Sequence, residues 1–524
     1  MHFFGCDSTA GSVTVSIDPT ARTPSAAVLA DASSPELDFL GHASFVFAHE
    51  GRRVLIDPWF YPAFASSWFP YPDNRFLLST LHDEKFDFLY ISHLHEDHFD
   101  RKALAHVDKT TTVLCPAYRS RSLERELADI GFTDIVVMRH GEEIELSSTF
   151  RATMILDTSH KEDSGLLLDA DGFRFLDLND CHPQMNEIPR RVDLLAAQFS
   201  GAMWYPNCYE YPADRMQEKV DQVRANLIDS LQRICLASDA RVYLPSAGPA
   251  CFLDPELRQY NDARSTIFAR WDDVAAEFSR GCPDIEVLRM QPGNRIVVTE
   301  GRPAVAGCEN QSSTDLEEYA ARRQSEYATN VVVAPVTTET LRDYFVDLQR
   351  RNRPFVARDF DKCFLVTSEG SEWTITMGAF PDVEVTEGRS RLARYSLAVP
   401  MWLLRRIVDS KIGWEEALLS MRIKLRRDPD VFDVRLLGLL RYGSRPAQTR
   451  QMLVDAAASD EMIERDGLRC QKYGPHAGED LTNAIVADGV VECPRHHWKW
   501  DTTTGECIAG GSLPLRVERI EDAR

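Results

Sequence analysis

Four side chains able to ligate a transition metal crowd into six residues: His93, His95, Asp97 and His98, spaced H-x-H-x-D-H. Imidazole nitrogens with a carboxylate suit zinc, iron, manganese or copper. A merely solvated loop has little use for this combination. The segment leading into it, Phe86-Asp87-Phe88-Leu89-Tyr90-Ile91, is apolar and β-favouring and predicts a buried strand. A loop leaving the end of a buried strand is a rigid mount for ligands.

The elements around this loop can be read from pattern and punctuation. Leu37 to Phe47 and Arg53 to Trp59 predict two strands joined at Glu50-Gly51. Asp57 falls at the second strand's end, where it either orients a ligand histidine or caps the turn before Pro58. Thr111 to Cys115 predicts a strand, and Ser122 to Ile130 a helix with Leu123, Leu127 and Ile130 on one face. The strand Ala152 to Leu156 runs into Asp157-Thr158-Ser159-His160. A hairpin around Asp171-Gly172 ends at Asp177-Leu178-Asn179-Asp180. A strand over 193–199, a helix from Met216 to Ala237 and a strand over 242–245 complete a layered α/β domain. After the 193–199 strand, Ser200-Gly201-Ala202-Met203-Trp204-Tyr205-Pro206 sets two large aromatics beside polar groups, which suits either a pocket wall or a core.

Residues 1–35 predict a loose start, and 301–316 a linker. Beyond it lie a helix from Thr338 to Arg350, a hairpin around Glu369-Gly370, and helices over 401–408 and 414–419. This unit carries no constellation that points to chemistry, so its expected role is docking or dimerisation.

The 524-residue chain has net charge −22 and pI about 5.1, which argues against nucleic acid or an anionic membrane as partner. No apolar run approaches the roughly 18 residues of a membrane span. The start, Met1-His2-Phe3-Phe4-Gly5, lacks the basic and apolar regions of a signal peptide. Twelve cysteines without a small-scaffold rhythm fit buried thiols and metal ligands, and a cytoplasmic protein is expected.

The H-x-H-x-D-H loop, followed by a strand-end His and a strand-end Asp, resembles the metallo-β-lactamase fold, an αββα sandwich with a dinuclear site. That resemblance covers residues 36–310. It implies that His93, His95 and His160 hold one metal, that Asp97 and His98 hold the other, and that Asp180 bridges. The family's last His is missing, since that stretch reads Pro245-Ser246-Ala247-Gly248-Pro249. A position is therefore left open or filled by His182. The unit at 311–445 resembles sterol-carrier-like α+β domains. Residues 446–524 resemble an all-β Rieske domain, whose pattern is C-x-H, a gap of about sixteen residues, then C-x-x-H around a [2Fe–2S] cluster. His476, Cys493 and His496 match; the first Cys position is Gly474, and Cys470 would reach only if its loop folds back.

The combination resembles cytidine-monophosphate N-acetylneuraminate hydroxylase and its bacterial relatives. The resemblance rests on Asp57-Pro58-Trp59, Ser92 to His98, Leu178-Asn179-Asp180-Cys181, Gln198-Phe199-Ser200-Gly201-Ala202, Trp204-Tyr205-Pro206 and Ala247-Gly248-Pro249. In the animal enzymes the Rieske unit comes first; here it comes last. Zinc has no redox chemistry, so an iron–sulfur donor beside a zinc hydrolase would be idle. The expectation is a non-haem diiron oxygenase that hydroxylates or N-oxygenates a small polar substrate with O2. The Rieske-type domain would deliver the electrons to that centre, fed by an external reductase, ferredoxin or cytochrome. Asp97, Asp180, Trp204 and Tyr205 are the candidate catalytic residues, and a homodimer is possible on this reading. The competing expectation is a zinc hydrolase of a phosphoester, lactone or amide, which Gly474 favours by weakening the electron donor. A redox-sensing or scaffold protein is a third class, against which the intact metal loop argues.

Overall fold

The computed structural model describes residues 34–157, 161–306, 315–327, 332–357, 360–457, 461–475, 481–493, 497–511 and 513–520. Most of the expected loose start therefore lies outside the described residues. Two-residue turns set the first register. Glu50 and Gly51 both take positive φ (49° and 73°), as a tight hairpin requires. In consequence β1 (Glu36–Gly41), β2 (Ser44–His49) and β3 (Arg52–Ile56) form an antiparallel meander. β4 (Phe88–Tyr90), β5 (Thr112–Pro116) and β6 (Ile135–Met138) then add in parallel, each reached by a crossover.

The second sheet holds β7 (Glu143–Glu145), β8 (Phe150–Leu156), β9 (Ser164–Ala170), β10 (Phe173–Asn179), β11 (Leu194–Gln198), β12 (Val242–Ser246) and β13 (Glu286–Val287), with neighbours in that order. Asp171 and Gly172 repeat the positive-φ turn between β9 and β10. β14 (Arg295–Thr299) returns to pair with β1, and β15 (Arg302–Ala306) pairs outside it. Part of the expected linker is thus an edge strand. Pro303 is tolerated there because an edge position does not need its missing N–H.

Side-chain alternation explains the layers. Phe45 and Phe47 point between the sheets, where Phe47 meets Phe150 at 5.4 Å and Phe175 at 5.7 Å. Val46 and Leu55 point outward onto the helix Ser122–Asp129 through Leu123 and Leu127. On the far side Leu176, Leu195 and Tyr243 pack under the helices Ala213–Ala237 and Trp271–Gly281. The result is helix, sheet, sheet, helix.

The middle unit is built on a five-stranded sheet, in the order 383–387, 371–377, 362–368, 395–398, 424–427. Its helices Thr338–Arg351, Met401–Val408 and Trp414–Leu419 fall where the sequence predicts them. It does not keep a core to itself. Trp59, Trp68, Trp204 and Phe252 of the first domain form one buried cluster with Phe345, Trp414, Leu418 and Leu425. Trp68 is only 2% exposed, and its Nε1 donates to the Leu419 carbonyl at 2.8 Å. Trp68→Ala is expected to destabilise the whole protein by about 3–5 kcal/mol, because it opens a cavity and strands that carbonyl. Urea unfolding followed by fluorescence and circular dichroism checks this.

The described residues beyond 461 include a three-stranded and a four-stranded sheet around Trp498, Trp500, Val491 and Leu515. Among the described residues, no helix is long and apolar enough to cross a membrane.

Candidate metal centre

The metal-type loop leaves β4 and is tied down on every side. Asp100 caps the short helix Arg101–Leu104, accepting from Lys102 and Ala103 N–H at 3.0 and 3.1 Å. Its other oxygen accepts from Phe60 and Tyr61 N–H at 3.0 and 2.8 Å. The Ser92 carbonyl accepts from Ser164 Oγ at 2.7 Å and from the Tyr118 hydroxyl. Such anchoring fixes where the imidazoles between these points can aim.

Two groups of donor atoms result, each spanning no more than 4.8 Å: His42 with Asp97 and His98, and His93 with His95 and Asp180. His93 Nε2 faces His95 Nδ1 at 2.8 Å, nitrogen to nitrogen. His98 Nε2 stands 3.6 Å from Asp180 and 3.9 Å from Asp97. Asp180, a member of one group, therefore also faces the other. Gln198 Nε2 donates to its outer oxygen at 3.1 Å.

His42 is the residue that the sequence reading missed. It sits in the turn between β1 and β2 at φ 55°, edge-on to the Trp59 ring at 4.7 Å. Its Nε2 lies 3.4 Å from Asp97. Its carbonyl accepts from Ala247 N–H at 3.1 Å, beside the segment where a last histidine was sought and not found. His182 is half-buried and belongs to neither group, whereas His42 stands with Asp97 and His98. The signal in sequence was Gly41 beside it, within a run that reads as one strand from Leu37 to Phe47.

The nitrogens facing away from the two groups meet carboxylates. Asp57, fully buried, takes His98 Nδ1 at 2.7 Å, Ser92 N and Oγ at 2.8 and 2.6 Å, and Asn179 Nδ2 at 3.1 Å. Asp163 stands 3.3 Å from His93 Nδ1, and Glu415 3.8 Å from His95 Nε2. Neither was marked in the sequence. Asp57→Ala is expected to weaken metal binding by roughly 10- to 100-fold, as loss of an outer carboxylate partner does. A chelator-competition titration of the folded variant checks it.

Burial and neighbouring charges set these groups apart. Burial opposes charge on His98, yet the Asp97, Asp180 and Asp57 carboxylates hold its pKa well above the ordinary value. Burial, with His98 and His95 beside it, drives His93 well below. Burial and the Asp180 charge push Asp163 up to about 8. Two buried nitrogens, His42 Nε2 and His98 Nε2, have no hydrogen-bond partner although both face carboxylates. Four imidazoles and two aspartates with these lone pairs converging fit two transition-metal ions.

Other expected site residues lie elsewhere. His160, His476 and His496 are outside the described residues. Trp204 is buried in the core shared with the middle unit, under the Arg441 guanidinium at 4.8 Å, and Tyr205 packs on Tyr209 with Arg427 5.4 Å above it. Both stand in that interface rather than among the donor atoms. Cys493 follows the strand Val490–Glu492, its N–H donating to Trp498 O at 2.8 Å, while its own carbonyl accepts from His497 N–H at 3.1 Å. Cys470 is mid-strand, paired with Ile463 and Val517 and buried in the core, so the fold-back that it would need is not seen. Gly474 offers no ligand. Among the described residues, neither candidate metal group contains a cysteine.

The layers and the loop at the mouth of the sandwich define a metallo-β-lactamase fold, and residues 36–228 match the family model described as a beta-lactamase superfamily domain. Over almost its whole length the chain is similar to a protein of Mycolicibacterium smegmatis named as a Rieske 2Fe-2S iron-sulfur protein, 28% identical over 92% of this chain and 99% of the relative. It is also similar to cytidine monophosphate-N-acetylneuraminic acid hydroxylase of Mus musculus, 22% identical over 76% of this chain and 72% of that one. Among solved structures it matches CmlA, a diiron beta-hydroxylase from Streptomyces venezuelae, at 21% identity, 51% of this chain, 54% of that chain and TM-score 0.35.

Proposed function

We propose that the chain is a non-haem diiron oxygenase that hydroxylates or N-oxygenates a small polar substrate. The observation that carries this reading is the pair of adjoining donor groups facing one another across Asp180. The names of its relatives, a Rieske protein and a hydroxylase, support it. Two irons, when bound, would supply the reactivity towards O2. His93, His95 and Asp180 would hold one, and His42, Asp97 and His98 the other; His160 remains a candidate for the first. The chain's own work is to fix these groups. Asp57 and Asp163 orient His98 and His93, Gln198 orients Asp180, and the Trp59 ring walls off one side of His42 from water.

The division proposed is a catalytic domain at 36–310, a sterol-carrier-like docking unit at 311–445 and a Rieske-type unit at 446–524, in a cytoplasmic protein served by an external electron-donor protein. The donor set of the last unit does not fit a complete [2Fe–2S] site. Gly474 replaces a thiolate and Cys470 is locked in its strand.

That same glycine favours a second reading, a zinc hydrolase of a phosphoester, lactone or amide. Anaerobic iron, zinc and sulfide analysis, with oxygen uptake under a chemical reductant, separates the two. Two irons per chain and reductant-dependent oxygen uptake are expected. Two zincs with oxygen-independent hydrolysis overturn the proposal.

A further inference from the structure

We propose that Glu415, supplied by the middle unit, is a positioning residue for His95, so that the metal centre is complete only with that unit docked. The inference rests on the reading of His93, His95 and Asp180 as a metal-holding group.

His95 turns Nδ1 towards His93 Nε2 at 2.8 Å, which leaves Nε2 to face outward. For His98 and His93 the outward nitrogen meets a carboxylate of the first domain, Asp57 or Asp163. For His95, among the described residues, the carboxylate at that place is Glu415, at 3.8 Å, from the helix Trp414–Leu419 of the other unit. At that separation it acts as a fixed charge rather than a hydrogen-bond acceptor. It favours the tautomer protonated on Nε2 and so leaves the Nδ1 lone pair for a metal.

The glutamate is held for this task. It is 3% exposed. Arg441 donates to one oxygen at 2.8 Å from Nη2 and 3.3 Å from Nε, and Arg445 to the other at 2.9 Å. Arg441 is itself stacked over Trp204 at 4.8 Å. Two guanidiniums keep the carboxylate ionised and immobile, so its burial does not depend on His95. The unit that looked chemically silent in sequence thus reaches the centre with a preassembled glutamate and two arginines. Docking and metal affinity are then linked, and the linkage is reciprocal.

The test uses the full chain, stripped by chelation and titrated anaerobically with Co(II), read by visible absorption and by thermal shift. Wild type is expected to bind two equivalents. In Glu415→Gln one equivalent weakens by roughly 10- to 100-fold and its absorption bands change, while the other is unaltered. Glu415→Asp keeps the charge between the arginines but withdraws it from His95, and the same loss is expected; if Glu415→Gln does not fold, this variant decides. In a His95→Ala background Glu415→Gln changes nothing further. Folded Glu415 variants that bind two Co(II) with wild-type affinity and spectrum overturn the role of Glu415 and leave the metal reading standing. Wild type that takes up no Co(II) overturns both.

Discussion

Asp180→Ala is expected to empty the centre of metal and abolish turnover. Asp180 belongs to the His93–His95 group and stands 3.6 Å from His98 Nε2 of the other, so on the proposed reading one side chain would serve both. Its removal leaves four converging imbalanced imidazoles with a single aspartate among the donors. Outer partners already cost roughly 10- to 100-fold in affinity when lost, and a donor shared by two ions costs more. Metal content should fall from two per chain to below one, and oxygen uptake to background. The fold should persist, because Asp180 follows the last residue of β10 and supports no sheet hydrogen bond. Asp180→Asn, which keeps the shape without the charge, should lose both ions as well. Two ions retained in either variant would show that the shared position is not a ligand.

His42→Ala is the second large effect and the more discriminating one. The substitution takes one imidazole from the group with Asp97 and His98, and nothing from the other group. Metal content is therefore expected to drop from two to one, with loss of multi-electron turnover. The surviving ion should keep its affinity. Ring contacts with Trp59 at 4.7 Å and His98 at 5.6 Å are also lost, so a small fall in thermal stability accompanies it. Elemental analysis of the folded variant gives the answer, and a full complement of two ions would rule His42 out.

What the sequence disclosed follows from how ligands are distributed along it. His93, His95, Asp97 and His98 are legible because they are contiguous and follow an apolar strand. The hairpins were legible because Glu50-Gly51 and Asp171-Gly172 are turn residues with one backbone solution. Helices of the middle unit were legible from their apolar spacing. His42 was not: it lies within a run that reads as one strand, and only the return of the chain at Ala247 gives it a place beside Asp97. Asp163 and Glu415 were invisible for the same reason, since their meaning is a distance to an imidazole from a remote segment. The strand over Arg302–Ala306 was hidden by Pro303, which reads as a breaker until its edge position is known.

The common core has a bearing on how this chain can be divided. Trp68, Trp204 and Phe252 on one side interleave with Phe345, Trp414 and Leu425 on the other, and the helix Pro446–Ala457 is fastened to both halves, Thr449 to Asn352 at 2.7 Å and Gln448 to the Lys161 carbonyl at 3.3 Å. A gene fragment ending near residue 310 would yield a sandwich with a raw tryptophan-lined flank, prone to precipitate. Fragments ending after that helix keep every one of these contacts and uncover only the partly buried Phe432 and Val434, which pack against the core of the last unit, so they are expected to expose a smaller apolar flank than a cut near 310.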